Sequence, residues 1–261
     1  MSAAIFGLLL HFAQQPHFSF PTGGTANEEI VLRWLHIVFG IIWIGLLYFF
    51  NLVGVPTMGS LEASVRTKIY APLMSRAMSW FRWSAMVTVL VGLRYFTIIL
   101  KADAINAGKP SLLWTWFGEW FAIWLVAYAI LYALQMPWGG AINQRALRGV
   151  LIAIVVIAAS YAALVVNGSQ FSSNSHLSIS IGGGLGLVML LNAWGIVWRA
   201  QKRLIQWNRA NAENGTPIPP EAERLRQWSL FAARVAFWLS FPMLFFMGAA
   251  DHYPFLSSIS D

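Results

Sequence analysis

Apolar residues along this chain gather into six long runs, at about 30–54, 80–101, 112–136, 148–167, 176–199 and 231–250, each closed by a turn or a polar stretch. A helix needs roughly twenty mostly apolar residues to cross the hydrocarbon of a bilayer, so the pattern predicts six transmembrane helices. The interruptions are of helix-ending kinds: Pro56 with Gly59, Gly108-Lys109-Pro110, Pro137-Trp138-Gly139-Gly140, the polar run NGSQFSSNS, and a long polar connection at 200–230. Within that connection, NGTPIPPEAERLRQW is expected to open a short amphipathic helix after its prolines, since proline is tolerated at a helix start. No ten-residue alternation of the kind a barrel needs is present, and no internal repeat.

The expectation is therefore an all-α, polytopic membrane bundle. It divides into an N-terminal periplasmic or interfacial segment (1–29), a six-helix membrane domain (30–254, including a cytoplasmic loop at 200–230) and a C-terminal tail (255–261). Residues 1–15 lack a basic n-region and their apolar run is too short to span, which points to an interfacial segment rather than a cleaved signal.

Composition agrees, with 58% hydrophobic and 10% charged residues, outside the range of soluble globular domains. The formal charge of +7 is no signal for nucleic acid here, because in a membrane protein charge is read by side of the bilayer. Arg66, Lys68, Arg76 and Arg82, then Arg145 and Arg148, then Arg199 to Arg234 fall in the first, third and fifth loops, whereas the other side carries chiefly Lys101 and Lys109. The positive-inside rule places both termini outside, in the periplasm if the membrane is a bacterial inner membrane. The absence of Cys excludes disulfides, thiolate metal ligands, iron–sulfur clusters and covalent c-type haem, so any haem is a non-covalent one held by His.

Candidate chemistry lies in the polar residues of the apolar runs. Arg33, His36, Arg94, Glu119, His176, Asp251 and His252 all fall near the same ends of successive helices. Ionisable groups in a bilayer are costly and mark function by default. Helix rotation decides whether they meet, and the sequence does not fix it. Glu119, inside WTWFGEWFAIW, needs pairing, protonation or hydration, and Arg94 is its natural partner. His36 is followed by Gly40 and Trp43 on one face, a spacing that lets a flat ring approach the backbone. Against this, Arg33, His176 and His252 can snorkel to headgroups, and an Arg–Glu pair can be purely structural. His11 and His17 face solvent or the interface. Gly182-Gly183-Gly184 and Gly186 serve close helix packing, and Trp80, Trp83, Trp114, Trp116, Trp194 and Trp198 read as interfacial belts.

The runs LRWLHIVFGIIWIG (32–45), SHLSISIGGGLGLVMLLNAWGIV (175–197) and FPMLFFMGAADHYP (241–254) resemble, in order, the N-terminal membrane domain of the bacterial cytochrome c-linked urate oxidases, or urate hydroxylases. The resemblance implies a periplasm-facing membrane oxidase domain, with His36, His176 and His252 matching the family's recurring histidines. The chain stops at Asp261 without the cytochrome c domain of the typical member, so a separate periplasmic cytochrome c or another subunit is expected to take the electrons. DHYP at 251–254 stands where the family pattern is Asn-His-Tyr-Pro, which weakens transfer of the substrate.

The expected mechanism pairs a b-type haem on His36 with His252 or His176. The remaining His and Glu119 act as general base, and Arg33 or Arg94 neutralises an anion such as urate or a haem propionate. Three His and a carboxylate equally suit Fe, Cu or Zn, with His36 and His252 as ligands. A different class remains open: a non-catalytic, accessory subunit of a larger respiratory-type membrane assembly. Transport through an Arg94–Glu119 relay is a third reading, disfavoured because the ionisable groups crowd one half of the bilayer.

Overall fold

In the computed structural model, residues 20–137 and 144–256 are described. Six helices among them are long and apolar enough to cross a membrane: α1 (Gly24–Ser60), α2 (Ala63–Asn106), α3 (Leu112–Gln135), α4 (Arg145–Asn167), α5 (Asn174–Asn214) and α6 (Glu221–His252). The chain is all-helical, with no strand among the described residues. The expected interfacial segment at 1–15, His11 and His17, the Trp138-Gly139-Gly140 part of the third break and residues 257–261 lie outside the described residues.

The chain divides into two compact units, Met1–Val31 and Leu32–Asp261. In the first, the Asn27 side chain donates to Pro21 O at 2.7 Å, tying the first turn of α1 to the segment before it. The second holds the bundle. There α5 is central: 78% of its apolar window is buried, against 17% for α4, and it packs on α2, α3, α4 and α6.

The glycines explain how so many neighbours reach one helix. At Gly182 a Cβ would stand 3.2 Å from Met243 O and 3.2 Å from Phe246 Cβ, and at Gly184 it would overlap the Trp124 indole. Both Trp120 and Trp124 donate their Nε1–H to Ser180 O, at 2.8 and 3.0 Å. Without water or a hydrophobic driving force between helices in lipid, association rests on this kind of close backbone approach and interhelical hydrogen bonding. Gly182 and Gly184 thus permit the close packing expected of the run, whereas a Cβ at Gly186 would meet nothing within 4 Å.

Several helices run past the apolar windows. α2 begins at Ala63 rather than near 80, Pro56 and Gly59 lie inside the last turns of α1, and α5 continues to Asn214 through the first half of the 200–230 connection. Only the stretch from Gly215 to Pro220 separates α5 from α6, with Gly215 at φ 67° supplying the left-handed residue that ends a helix. The amphipathic helix expected after the prolines exists, as the first turns of α6. Hydropathy marks where lipid is, while these extensions are held by their own contacts. Ala200, Leu204 and Ile205 are buried, and Tyr70 of α2 donates to Gln201 of α5 (2.6 Å), which donates to Ser229 of α6 (3.1 Å). At the same end the amides of Gln135 and Asn192 exchange two hydrogen bonds, at 3.0 and 3.2 Å, with both side chains buried.

The Trp residues divide. Trp80, Trp83 and Trp114 are exposed, as a belt requires. Trp116 is buried against the His176 ring, with centroids 5.1 Å apart, and Trp194 and Trp198 flank the Arg82 guanidinium, which stands 3.8 Å from the Trp198 ring centre. Cation–π contact of this kind stabilises a guanidinium that lipid would otherwise strand.

Candidate functional site

Contacts from all six helices gather at the end where α2 and α6 finish and α5 begins. Asp103 sits in the last turn of α2, which Gly108 closes at φ 68°. Across from it, Ser173 caps α5, its hydroxyl accepting from His176 N at 3.2 Å. The Asp103 carboxylate accepts from Ser173 N (2.9 Å), from the Ser173 hydroxyl (3.0 Å) and from His176 Nδ1 (3.0 Å). A negative group before the first turn of α5 meets both its unpaired N–H groups and the positive end of its dipole. On the other side of the ring, His176 Nε2 lies 3.3 Å from Asn167 Oδ1 at the close of α4, and Phe96 and Trp116 wall it in. His176 is fully buried. Both its nitrogens are engaged within the protein.

The start of α5 is tied to α6 in the same way. Asn174 donates to the Ala249 and Ala250 carbonyls (2.9 and 3.0 Å) and Ser175 to Ala250 O (2.8 Å). These belong to the last turn of α6, where carbonyls run short of helical partners, although Ala249 O also accepts from Tyr253 N at 3.1 Å.

On α1, Arg33 donates to the Tyr95 hydroxyl (2.6 Å from Nε) and its guanidinium pairs with Asp251 at 3.2 Å, in a contact about half exposed on either side. One turn on, His36 Nδ1 lies 2.9 Å from Thr88 O. A carbonyl only accepts, so the ring carries its proton on Nδ1 and leaves the lone pair on Nε2. Nε2 has no hydrogen-bond partner among the described residues. The ring lies flat on α2 because position 92 is Gly: a Cβ there would come within 2.8 Å of His36 Cε1. Gly40 also faces α2, with the Thr88 methyl 3.7 Å from its Cβ position.

The remaining expected residues are placed as follows. His252 follows Asp251 at the end of α6 and is exposed. Arg94 is exposed, with Nη1 donating to Thr97 Oγ1 at 3.1 Å. Glu119 is exposed on the outward face of α3, and among the described residues no ion pair joins it to Arg94. No group of three His, Cys, Asp or Glu among the described residues is arranged to hold a metal ion. Sequence reasoning passed over Asp103, Asn167 and Tyr95. The signal for the first was a cap, Ser173-Asn174-Ser175-His176, waiting for an anion from the end of another helix.

What the structure defines is a multi-pass, all-helical membrane protein with a polar cluster at one end. No family model, no curated protein and no solved structure matches the chain.

Proposed function

We propose that the chain is an integral membrane redox subunit whose centre is bound at His36, near the outer face of a bacterial inner membrane, with both termini on that side. The observation that carries this reading is the His36 ring itself, fixed through Nδ1 to the Thr88 carbonyl with Nε2 presented away from it. Histidines that ligate metals are oriented in this way, by a hydrogen bond from the other ring nitrogen to a backbone carbonyl or carboxylate.

The residues present fit a haem b better than a three-ligand metal. A haem is held non-covalently by protein imidazoles, and His36 would supply one. His252 would join it in holding the group, since it adjoins Asp251, which pairs with Arg33 one turn from His36. His176, with its ring nitrogens against Asp103 and Asn167, serves in this reading as the buried pin of the cluster rather than as a ligand. When bound, the haem supplies one-electron transfer. Arg33 offers a guanidinium to a carboxylate or an anionic, purine-like substrate such as urate, and a separate periplasmic cytochrome takes the electrons.

An accessory role in a larger complex is favoured by one feature, the exposed carboxylate of Glu119 on the lipid-ward face of α3, which a neighbouring subunit would cover. The test is an optical spectrum of the purified protein, oxidised and dithionite-reduced, with a haemochrome assay and metal analysis. A b-type spectrum that disappears in His36→Ala supports the redox reading. Protein with neither haem nor stoichiometric metal moves the assignment to the accessory one.

A further inference from the structure

Between α4 and α6, with α5 as its floor, runs a groove of about 830 Å³. Its walls are apolar, with Ile157 and Leu164 on one side, Leu239 and Phe246 on the other and Leu185 beneath. The α4 wall is cut back at small residues, and a Cβ added at Gly149 would meet nothing within 4 Å. The one charged residue of the lining is Arg234. It is exposed and makes no hydrogen bond or ion pair among the described residues.

Eighteen residues separate Arg234 from His252, about 27 Å of helix, close to the roughly 30 Å thickness of bilayer hydrocarbon. With His252 at one membrane face, the Arg234 guanidinium therefore reaches the headgroups of the other. The groove follows α4 from Gly149 to Leu164, about 22 Å, longer than the roughly 15 Å that half a bilayer's hydrocarbon measures. A helix of that length and about 10 Å across would need about 1700 Å³, twice the volume present. An extended acyl chain fits, and an unpaired cation at the headgroup end selects a lipid that carries net negative charge.

We infer that this groove binds an anionic phospholipid, with its phosphate on Arg234 and one acyl chain laid along α5. The site is independent of the redox reading and lies toward the opposite membrane face. Native mass spectrometry of the detergent-extracted protein with added phosphatidylglycerol or phosphatidylcholine tests it. The expected result is a preference of about fivefold for phosphatidylglycerol, the scale of one basic residue near a membrane surface. Arg234→Gln abolishes that preference, and Gly149→Leu weakens binding of both lipids while melting as the wild type does in their absence. Equal binding of the two lipids, a preference that survives Arg234→Gln, unchanged binding to Gly149→Leu, or a quinone recovered from the groove in place of phospholipid overturns the inference.

Discussion

Asp103 Oδ2 and His176 Nδ1 stand 3.0 Å apart between the last turn of α2 and the first turn of α5, both side chains buried and both bonded to further groups. Such a contact fixes the relative height of two helices that lipid alone would let slide. Removing one partner leaves the other buried without its match, which costs more than the contact contributes.

Asp103→Ala and His176→Ala should each destabilise the bundle by about 2–4 kcal/mol, read as a lowered Tm in detergent. On the redox reading proposed above, the folded fraction of His176→Ala should keep a haem spectrum. A variant with wild-type Tm and no haem would instead make His176 a ligand.

Gly92→Ala tests the His36 geometry without touching the imidazole. The new methyl would lie 2.8 Å from Cε1, so the ring must swing off Thr88 O. On the redox reading, the expected outcome is a lower haem content per protein with helicity by circular dichroism unchanged. Full occupancy in Gly92→Ala would place the cofactor elsewhere.

Gly184→Ala should be among the most damaging single methyl additions, because it meets the Trp124 indole, itself fully buried and bonded to Ser180 O. Overpacking of this kind costs about 1–3 kcal/mol. Gly186→Ala, two residues on, meets nothing within 4 Å and should leave Tm unchanged, so the pair separates packing from helix propensity.

For Gln135 and Asn192, each single change to Leu strands the other amide in the bundle and should cost about 1–3 kcal/mol. The double variant should cost less than the sum of the two, as coupled residues do. Additive melting shifts would show that the reciprocal pair contributes nothing of its own.

How far the sequence disclosed this molecule differs from helix to helix. All six spans were readable because lipid requires an unbroken apolar run and nothing else in the chain imitates one. Their ends were not, since Tyr70, Gln201 and Ser229 hold helix together through polar contacts that hydropathy cannot register. The gathering of polar groups at one end was readable from the alternating direction of the helices, and Arg33 does meet Asp251 there. Rotation decided the rest. Glu119 turns outward on α3, and His176 spends both nitrogens on Asp103 and Asn167, residues that sit at window edges and read as loop.

The length of α2 reaches beyond the membrane question. Its 44 residues make about 66 Å of helix, and a bilayer's hydrocarbon occupies about 30 Å of that. Part of what is left over packs with the extended end of α5, which the short turn from Gly215 to Pro220 joins to the start of α6. A short turn between two helices that outrun the apolar windows is a handle. With an epitope inserted there, the side of a sealed vesicle from which an antibody reaches it would report the orientation of the whole chain.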